Sequence, residues 1–367
     1  MDQNFNIELY KLKKVMSQVK NAIIKKESIP VLFGDHVGQI ILAKNKVVVI
    51  NPTIFVEIET PIKIKGDIGI CVPDGFYDYI NAVKNKGDEK IISFELIDNQ
   101  LILSISTDKD GTNVTFTVKV IDNINDVIPS CPSEADLDTL PELFHTGIVF
   151  CEKFTSKAKA QTSNNFVWCV QDKIMSTDDM RIAVVDLEKE FNTEFCLSSS
   201  AIKLLKDMEV SEYVIDKKRY AYFYGPGIVV GIRQFNSESI IEYLTNVDNY
   251  QPHYTIKIPK EIEEKLSEIK TVVDKKKNSS IIVSESNGMM TISGVSGNIK
   301  KKNEILVKAP SENDVDYDLV LGFDINHFDE ILKVMKVFDV SEDLGISRVI
   351  TGNEGCFQLF TGMAKSY

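Results

Sequence analysis

The sequence lacks the long apolar segments that membrane proteins need. No run of about 18 consecutive apolar residues occurs, so no membrane-spanning helix and no membrane partner are predicted. No secretory leader is predicted either, because the first ten residues, MDQNFNIELY, are polar and place an acid directly after the methionine. The sequence therefore predicts a cytoplasmic protein.

Paired cysteines are also absent. None of the six cysteines belongs to a Cys-x-x-Cys pair. Their scatter is typical of reduced, mostly buried thiols rather than of a disulfide framework. The cysteines are Cys71, Cys131, Cys151, Cys169, Cys196 and Cys356.

The signatures of common catalytic sites are absent as well. The four histidines, His36, His145, His253 and His327, have no His-x-x-x-His or His-Glu-x-x-His spacing, so no zinc site is predicted. No Gly-x-Ser-x-Gly, Walker A or kinase signature occurs. Residues 225–231 (GPGIVVG) hold a proline between two β-rich runs, which predicts a hairpin turn rather than a phosphate-binding loop. We therefore expect no enzyme, no cofactor and no metal, although distant residues could still assemble a site.

The chain has no general excess of positive charge. It contains 42 lysines and arginines against 54 acids, for a formal net charge of −12. A protein this acidic is expected to bind nucleic acid only through a local basic surface. Its 43% apolar and 26% charged residues are ordinary for a folded globular protein and argue against disorder.

Six segments have apolar residues spaced about 3.6 positions apart, which predicts amphipathic helices. Between them lie alternating, β-branched runs joined by turn residues, which predict hairpins. The helical segments are 10–26, 73–86, 142–160, 199–209, 260–277 and 324–338. The paired runs are 38–42 with 46–50, 92–97 with 101–105, 212–215 with 220–224, 281–285 with 289–292, and 346–351 with 356–361.

The predicted elements repeat. The helical segments begin 57 to 69 residues apart, and each is followed by several strands. Segments rich in Pro, Asp and Asn at 122–141 and 246–252 group the repeats in pairs. The sequence thus predicts an α+β protein of three similar domains, 1–127, 128–248 and 249–367, each with two helices packed on mainly antiparallel sheets.

Lysine is concentrated in the predicted helices. The six helical segments carry about +7 on 94 residues, which leaves about −19 on the other 273. The first segment alone has six lysines and no acid. This segregation indicates that the helices form a basic surface. Such a surface can contact the phosphate backbone of DNA without recognising the base sequence.

Several local strings resemble the bacterial sliding clamp family, the beta subunit of DNA polymerase III. The string STDDMRIA at 176–183 resembles the family's Ala-Thr-Asp-Gly-His-Arg-Leu-Ala beside its partner pocket. LPELF at 140–144 and FCLSSSAIKLL at 195–205 resemble the start and the second helix of its middle domain. SIPVL at 28–32 and QLFTGMAK at 358–365 resemble the turn after its first helix and its closing strand.

The resemblance implies a ring of two chains joined head to tail, with the helices around double-stranded DNA. Such a ring is a non-catalytic processivity factor, and its contacts with DNA do not depend on base sequence. The lysines expected to face DNA are Lys11, Lys14, Lys20, Lys25, Lys153, Lys157, Lys203, Lys206, Lys270 and Lys336.

The resemblance also implies a groove for short peptides of a DNA polymerase and a clamp loader, between the middle and last domains. It would be lined by Thr177, Met180, Arg181, Ile182, Ile241, Tyr243, Val247, Phe360 and Met363. At the homodimer interface, the apolar positions on the predicted strand 114–120 would meet those of the last domain. These residues are Phe116, Val118, Val272 and Val273.

Parts of the family pattern differ in this chain. The family's Gly-His is Asp179-Met180, its Met-Pro-Met is Thr361-Gly362-Met363, and its Phe-Pro-Asp-Tyr loop reads IIEY at 240–243. These differences, with the few lysines of the second and sixth helices, keep open a clamp-like interaction scaffold that does not encircle DNA. A hydrolase with a site of distant carboxylates is the third alternative.

Overall fold

The structure is a computed structural model that describes most of the first 235 residues and shorter segments after them. The described residues are 3–23, 38–84, 90–105, 113–132, 136–158, 162–178, 181–216, 220–235, 247–251, 254–257, 259–261, 264, 268, 280–286, 288–298, 301–310, 319–324, 337–341, 346–351 and 356–362.

Short helices and many strands make up the described residues. The helices are α1 (Leu9–Val19), α2 (Asp74–Ala82), α3 (Phe144–Glu152) and α4 (Ser199–Leu205). The earlier strands are β1 (Gln3–Glu8), β2 (Ile40–Ala43), β3 (Lys46–Ile50), β4 (Ile54–Glu59), β5 (Gly69–Val72), β6 (Ile91–Ile97), β7 (Gln100–Ile105), β8 (Asn113–Thr117), β9 (Lys119–Ile121), β10 (Asp138–Thr139), β11 (Phe166–Val170), β12 (Lys173–Thr177) and β13 (Arg181–Asp186). The later strands are β14 (Phe195–Ser198), β15 (Glu212–Asp216), β16 (Tyr220–Gly225), β17 (Ile228–Arg233), β18 (Tyr254–Lys257), β19 (Ser280–Ser286), β20 (Met289–Asn298), β21 (Lys301–Pro310), β22 (Leu319–Asp324), β23 (Val337–Ser341), β24 (Ile346–Thr351) and β25 (Phe357–Gly362).

The chain divides into two compact units. The first contains Met1–His145 and Phe195–Asn236, and the second contains Thr146–Glu194 and Ser237–Tyr367. The boundary therefore falls inside the predicted domain 128–248. The three-domain division that the repeat suggests stays a prediction.

The first unit contains two antiparallel sheets. One has the strand order β1-β6-β7-β8, and the other has the order β10-β15-β16-β17-β4-β3-β2-β5-β9. In the larger sheet, β17 pairs directly with β4, with Val230 opposite Val56. A single hydrogen-bonded sheet thus joins strands that are far apart in sequence.

Helices and a covering segment bury the faces of these sheets. Phe5 of β1 stacks on Phe94 of β6 with ring centroids 4.8 Å apart, and Phe76 of α2 lies 6.2 Å from the Phe94 ring. On the larger sheet, an apolar cluster around Tyr222 packs against residues of 124–131 and against Leu137. The Tyr224 hydroxyl donates a 3.1 Å hydrogen bond to the Pro132 carbonyl and links the end of 124–132 to the sheet.

The second unit is also antiparallel. Seven neighbouring strands of an eight-stranded sheet belong to it and run in the order β11-β12-β13-β25-β24-β23-β18, and a four-stranded sheet runs in the order β21-β20-β19-β22. The predicted α+β class with mainly antiparallel sheets is confirmed in both units.

The predicted hairpins are confirmed. Residues 225–231 also form a hairpin turn, as predicted, rather than a phosphate-binding loop. Gly225 pairs with Ile228, so residues 226 and 227 form the turn between β16 and β17. Between β6 and β7 the turn residues Asp98 and Asn99 have φ values of 46° and 62°, which Asp and Asn tolerate better than other side chains.

The predicted helix ends are wrong, because each helix ends before the residue that the apolar spacing predicts. The first α-helix ends at Val19 and continues as a short 3₁₀ helix to Ala22, after which Ile23 is extended. The second ends at Ala82, where the Lys13 ammonium donates to two carbonyl groups. The third ends at Glu152, whose carbonyl accepts a bond from the Thr155 hydroxyl.

Later predicted elements also differ. The fourth helix ends at Leu205 rather than at residue 209, and bonds of the 3₁₀ type close its last turn. Both ends of the sixth predicted helix, 324–338, lie in strands β22 and β23. Its interior, and most of the fifth, lie outside the described residues. The predicted strand 114–120 is broken at Val118.

Two broader expectations can be compared with the structure. Four of the six cysteines are buried, which confirms that most of the thiols are buried, and that they are reduced stays a prediction. Among the described residues, no helix has both the length and the apolar character that a membrane span requires.

Candidate functional site

Helix α1 separates a buried apolar face from an exposed basic face. Leu12, Met16 and Val19 are fully buried, as their spacing of three and four residues predicts. Lys14 and Lys20 are exposed on the opposite side. The first unit therefore anchors α1 through its apolar face and leaves these two ammonium groups in solvent.

Other lysines of α1 already have partners. The Lys11 ammonium lies 2.8 Å from Glu8 Oε1, and both side chains are about one-third exposed. The Lys13 ammonium donates to the carbonyl groups of Asn81 and Val83 at the end of α2. Lys13 thus caps a neighbouring helix, whereas Lys11, expected to face DNA, is partly neutralised by Glu8.

Helix α4 lies beside the end of α1. The Asn21 side-chain amide donates a 2.8 Å hydrogen bond to the carbonyl of Lys203. Ser198 caps α4 by accepting a bond from the Ala201 amide, as the serine run predicts. The structure therefore brings together the exposed lysines of two distant segments, and we call this group the lysine surface: Lys14, Lys20, Lys203 and Lys206.

The other lysines expected to face DNA are elsewhere. Lys153 and Lys157 are exposed after α3, in the second unit. Lys25, Lys270 and Lys336 lie outside the described residues.

In the second unit, several expected groove residues lie on neighbouring strands. Ile182 of β13 is opposite Thr177 of β12 and also opposite Phe360 of β25. The Thr177 hydroxyl donates a 2.8 Å bond to the Arg181 carbonyl and closes the turn between β12 and β13. These residues therefore form one continuous part of the sheet.

Arg181 is held by contacts that the sequence analysis missed. Its Nη2 lies 2.6 Å from Asp178 Oδ2, its Nε lies 3.0 Å from the same oxygen, and its backbone amide donates to Asp178 Oδ1. Its guanidinium carbon is 4.9 Å from the centre of the Phe154 ring. The Asp178 spacing of three residues before Arg181 was a signal for this pair, but nothing local pointed to Phe154.

The apolar groove residues are well packed. Phe360 is 3% exposed and meets the Tyr250 ring at a centroid distance of 5.3 Å. The Tyr250 amide donates to the Val247 carbonyl, and its hydroxyl donates to the Asp339 carbonyl at 2.8 Å. Tyr250 is thus a further contact of this region. The other predicted groove residues lie outside the described residues: Met180, Ile241, Tyr243 and Met363.

Of the predicted dimer residues of the first unit, Phe116 lies on the edge strand of a sheet and Val118 lies in the break between β8 and β9. Phe116 is half-buried on the edge strand β8 and makes edge contacts with the rings of Phe76 and Tyr79. Val118 is buried, and its amide donates to the Asn99 carbonyl at 2.9 Å. Both therefore contribute to internal packing. Their predicted partners, Val272 and Val273, lie outside the described residues.

A cleft in the first unit contains several carboxylates. It has a volume of about 460 Å³ beside the β16–β17 turn, and its lining includes Glu57, Glu59 and Glu212. Glu57 Oε2 is 3.0 Å from the Lys46 ammonium. Within the described part of the chain, no three His, Cys, Asp or Glu side chains are grouped closely enough to hold a metal ion.

Comparison with known proteins finds similarity in structure but not in sequence. No protein-family model and no curated protein matches the chain. A DnaN sliding clamp (DNA polymerase III subunit beta) from Pseudomonas aeruginosa, bound to griselimycin, matches with a TM-score of 0.79 and 12% identity over 99% of both chains.

Two further solved structures match over 100% of both chains. The DNA polymerase III beta subunit from Thermotoga maritima has a TM-score of 0.78 at 15% identity. The DNA polymerase III beta chain from Streptococcus pneumoniae has a TM-score of 0.79 at 13% identity. The chain therefore has the fold of the bacterial DNA sliding clamps, the beta subunits of DNA polymerase III.

Proposed function

We propose that the protein is a DNA sliding clamp, a non-catalytic processivity factor that encircles duplex DNA. The lysine surface carries this proposal. Its four exposed ammonium groups lie on adjacent helices of a chain whose net charge is −12. Exposed lysines make weak, salt-screened contacts with phosphates, which permit sliding, whereas base-specific contacts would hinder it.

The proposed ring consists of two chains, each with three domains at 1–127, 128–248 and 249–367. Strand β8 is at the edge of its sheet, so its outer backbone groups are available to a strand of a second copy. The apolar residues Phe116 and Val118 would support this pairing, with Val272 and Val273 of the second copy opposite them. The closed ring would then keep the protein on DNA without a need for tight binding.

The proposed partner groove includes Thr177, Arg181, Ile182, Val247 and Phe360. An extended peptide of a polymerase or a clamp loader would insert apolar anchors beside Ile182 and Phe360. The ion pair with Asp178 fixes the Arg181 guanidinium before any peptide arrives, so this wall of the groove is preorganised.

The first test is the mass in solution across a concentration series, by light scattering after size exclusion. A stable dimer of two 41.3 kDa chains is expected. A monomer at every concentration would contradict a self-closing ring. The second test loads the protein on nicked circular DNA with its clamp loader and then linearises the DNA. Retention on the circle and release from the linear form are expected, and equal retention on both would contradict encirclement.

One observation favours the alternative of a clamp-like scaffold that does not encircle DNA. Helix α2 contains Asp74 and Asp78 and no lysine, so it contributes negative charge where a DNA-facing helix needs positive charge. A dimer that binds partner peptides but is never retained on circular DNA would support the scaffold.

A further inference from the structure

The exposed side of α1 carries an aromatic ring beside its lysines. Tyr10 is 50% exposed, the largest value among the exposed large apolar side chains of the described residues. Tyr10, Lys14 and Ser17 are spaced by four and three residues, so they lie on one face of the helix, and all three are exposed. The exposed Lys20 follows at the end of α1. We call this set the Tyr10 stripe: Tyr10, Lys14, Ser17 and Lys20.

The exposed Tyr10 ring has an ammonium group and a carboxylate beside it. The Lys11 ammonium lies 5.6 Å from the centre of the ring and also bonds to Glu8 at 2.8 Å. The pKa of the Glu8 carboxyl is lowered, mainly by the hydrogen bond from Lys11 and also by one from Tyr10. Lys11 balances the charge of Glu8, so the net charge of the stripe comes from Lys14 and Lys20.

We propose that the Tyr10 stripe binds single-stranded DNA, with the Tyr10 ring stacked on an unpaired base and with Lys14 and Lys20 at the flanking phosphates. Bases inside a duplex are already stacked on both faces, so an exposed ring gains a stacking partner only from an unpaired base. Every base has a flat aromatic face, so this contact does not depend on sequence.

The dimensions of the stripe fit a short stretch of strand. Ten residues of α-helix rise about 15 Å between Tyr10 and Lys20, which is the length of a few nucleotides. The exposed Lys203 continues the positive charge beyond Lys20, because Asn21 bonds to its carbonyl. No acidic residue occurs between Tyr10 and Lys20, so nothing within this part of α1 repels a phosphate backbone.

This inference rests on the proposed function and extends it from paired to unpaired DNA. Contacts between lysines and phosphates have the same strength at every position of a duplex, so they allow free sliding. A stacking contact engages only where unpaired bases occur, as at a primer end. The stripe would therefore favour residence at junctions between single and double strands.

The stacking can be measured with a tryptophan reporter. The single tryptophan of the chain, Trp168, is 3% exposed and gives a constant background. In a Tyr10→Trp variant, a short oligothymidylate is expected to quench the new fluorescence. The matched control is Ile97→Trp, because Ile97 is 37% exposed on β6 between the acids Glu95 and Asp98. No quenching of Tyr10→Trp, or equal quenching of both variants, would overturn the proposal.

Affinity gives the second measurement. Tyr10→Ala is expected to raise the Kd for oligothymidylate about tenfold, whereas Tyr10→Phe keeps the ring and stays near wild type. Circular dichroism checks that both variants fold. An unchanged Kd in Tyr10→Ala, or an equal loss of affinity for a duplex of the same length, would overturn the assignment to single strands.

The outcomes also separate this site from the proposed function. If Tyr10→Ala binds oligothymidylate like wild type and wild type is retained on circular duplex DNA, the stripe fails and the clamp stands. If the Tyr10-dependent binding occurs without retention on circular DNA, the clamp fails while the stripe stands.

Discussion

The side-chain amide of Asn21 donates a hydrogen bond to the carbonyl of Lys203, although 182 positions separate the two residues. Through this bond the end of α1 meets the middle of α4. Because both segments belong to the first unit, the lysine surface does not depend on how the two units are arranged. The bond therefore links the two helical segments that carry the positive charges of the lysine surface.

Removal of the Asn21 amide should loosen this junction. Asn21→Ala is expected to lower the free energy of unfolding by about 1 kcal/mol or less, because the bond is exposed and water replaces it. The midpoint of thermal unfolding measures the change. Asn4→Ala, at an exposed position of β1, is the control and should leave the midpoint unchanged. Equal midpoints for the two variants would count against a stabilising role of the bond.

Neutralising the lysine surface should weaken the salt dependence of DNA binding. Each lysine–phosphate contact releases counterions, so replacing Lys14, Lys20 and Lys203 with Gln should lower the slope of log K against log salt by about 2.7 for duplex DNA. Filter binding at several salt concentrations gives this slope.

The control for that experiment removes the same charge elsewhere. Lys44, Lys63 and Lys65 are exposed in the turn and loop that flank β3 and β4. Their replacement with Gln should leave the slope near that of wild type. If both triple variants lose the same slope, the effect comes from net charge rather than from the lysine surface.

Breaking the ion pair at the proposed groove should destabilise the second unit. Asp178→Asn removes the carboxylate charge 2.6 Å from the Arg181 guanidinium, which is only 8% exposed. The expected loss is about 2 kcal/mol of unfolding free energy, because a mostly buried charge then loses a short, charge-assisted hydrogen bond. Urea unfolding measures it, and the affinity for a partner peptide should fall in parallel.

A more exposed ion pair provides the comparison. Lys46 and Glu57 are 3.0 Å apart with both side chains about one-quarter exposed. Glu57→Gln should therefore cost less than about 1 kcal/mol. A cost for Asp178→Asn no larger than this would mean that the Arg181 position does not depend on Asp178.

The first unit should lose stability at alkaline pH through two thiols. Burial raises the pKa of Cys71 and of Cys131 from 9.0 to about 11. Above pH 9 the unfolded chain loses these protons while the folded protein still holds them. The contribution of the two protonated thiols to the free energy of unfolding is therefore fully present below pH 9, and it is lost as the pH rises through about 11.

Urea midpoints between pH 9 and about 11 test this expectation. The double variant Cys71→Ala, Cys131→Ala should show a shallower alkaline decline than wild type. Cys356→Ala, at a partly buried thiol of the second unit, is the control. Identical declines in wild type and the double variant would refute the role of the two thiols.

Sequence patterns predicted the hairpins well and the helix ends poorly, for physical reasons. Alternation with a period of two is a local property, and turn residues such as Asp98 and Asn99 mark where a strand reverses. Helix ends depend on partners from elsewhere in the chain. The Lys13 ammonium that caps α2 is about 70 positions away from that end, so no window around α2 could reveal it.

The candidate site divides in the same way. The apolar spacing of α1 correctly separated its exposed lysines from its buried face. Periodicity could not tell Lys11, which pairs with Glu8, from Lys14, which is exposed at the rim of a cleft that also contains Glu59 and Glu209. Likewise, the resemblance drew attention to Arg181, but only the fold brings the Phe154 ring beneath its guanidinium.

The pairing of Ile58 with Ile228 in the larger sheet constrains the order in which the protein can fold during synthesis. Strand β4 leaves the ribosome long before its neighbour β17 exists. At about 5–20 residues per second, the delay is on the order of 10–30 s. Throughout that interval β4 presents an unpaired edge, which favours association with other nascent chains. The edge of β4 can be closed only after the later half of its sheet has been translated.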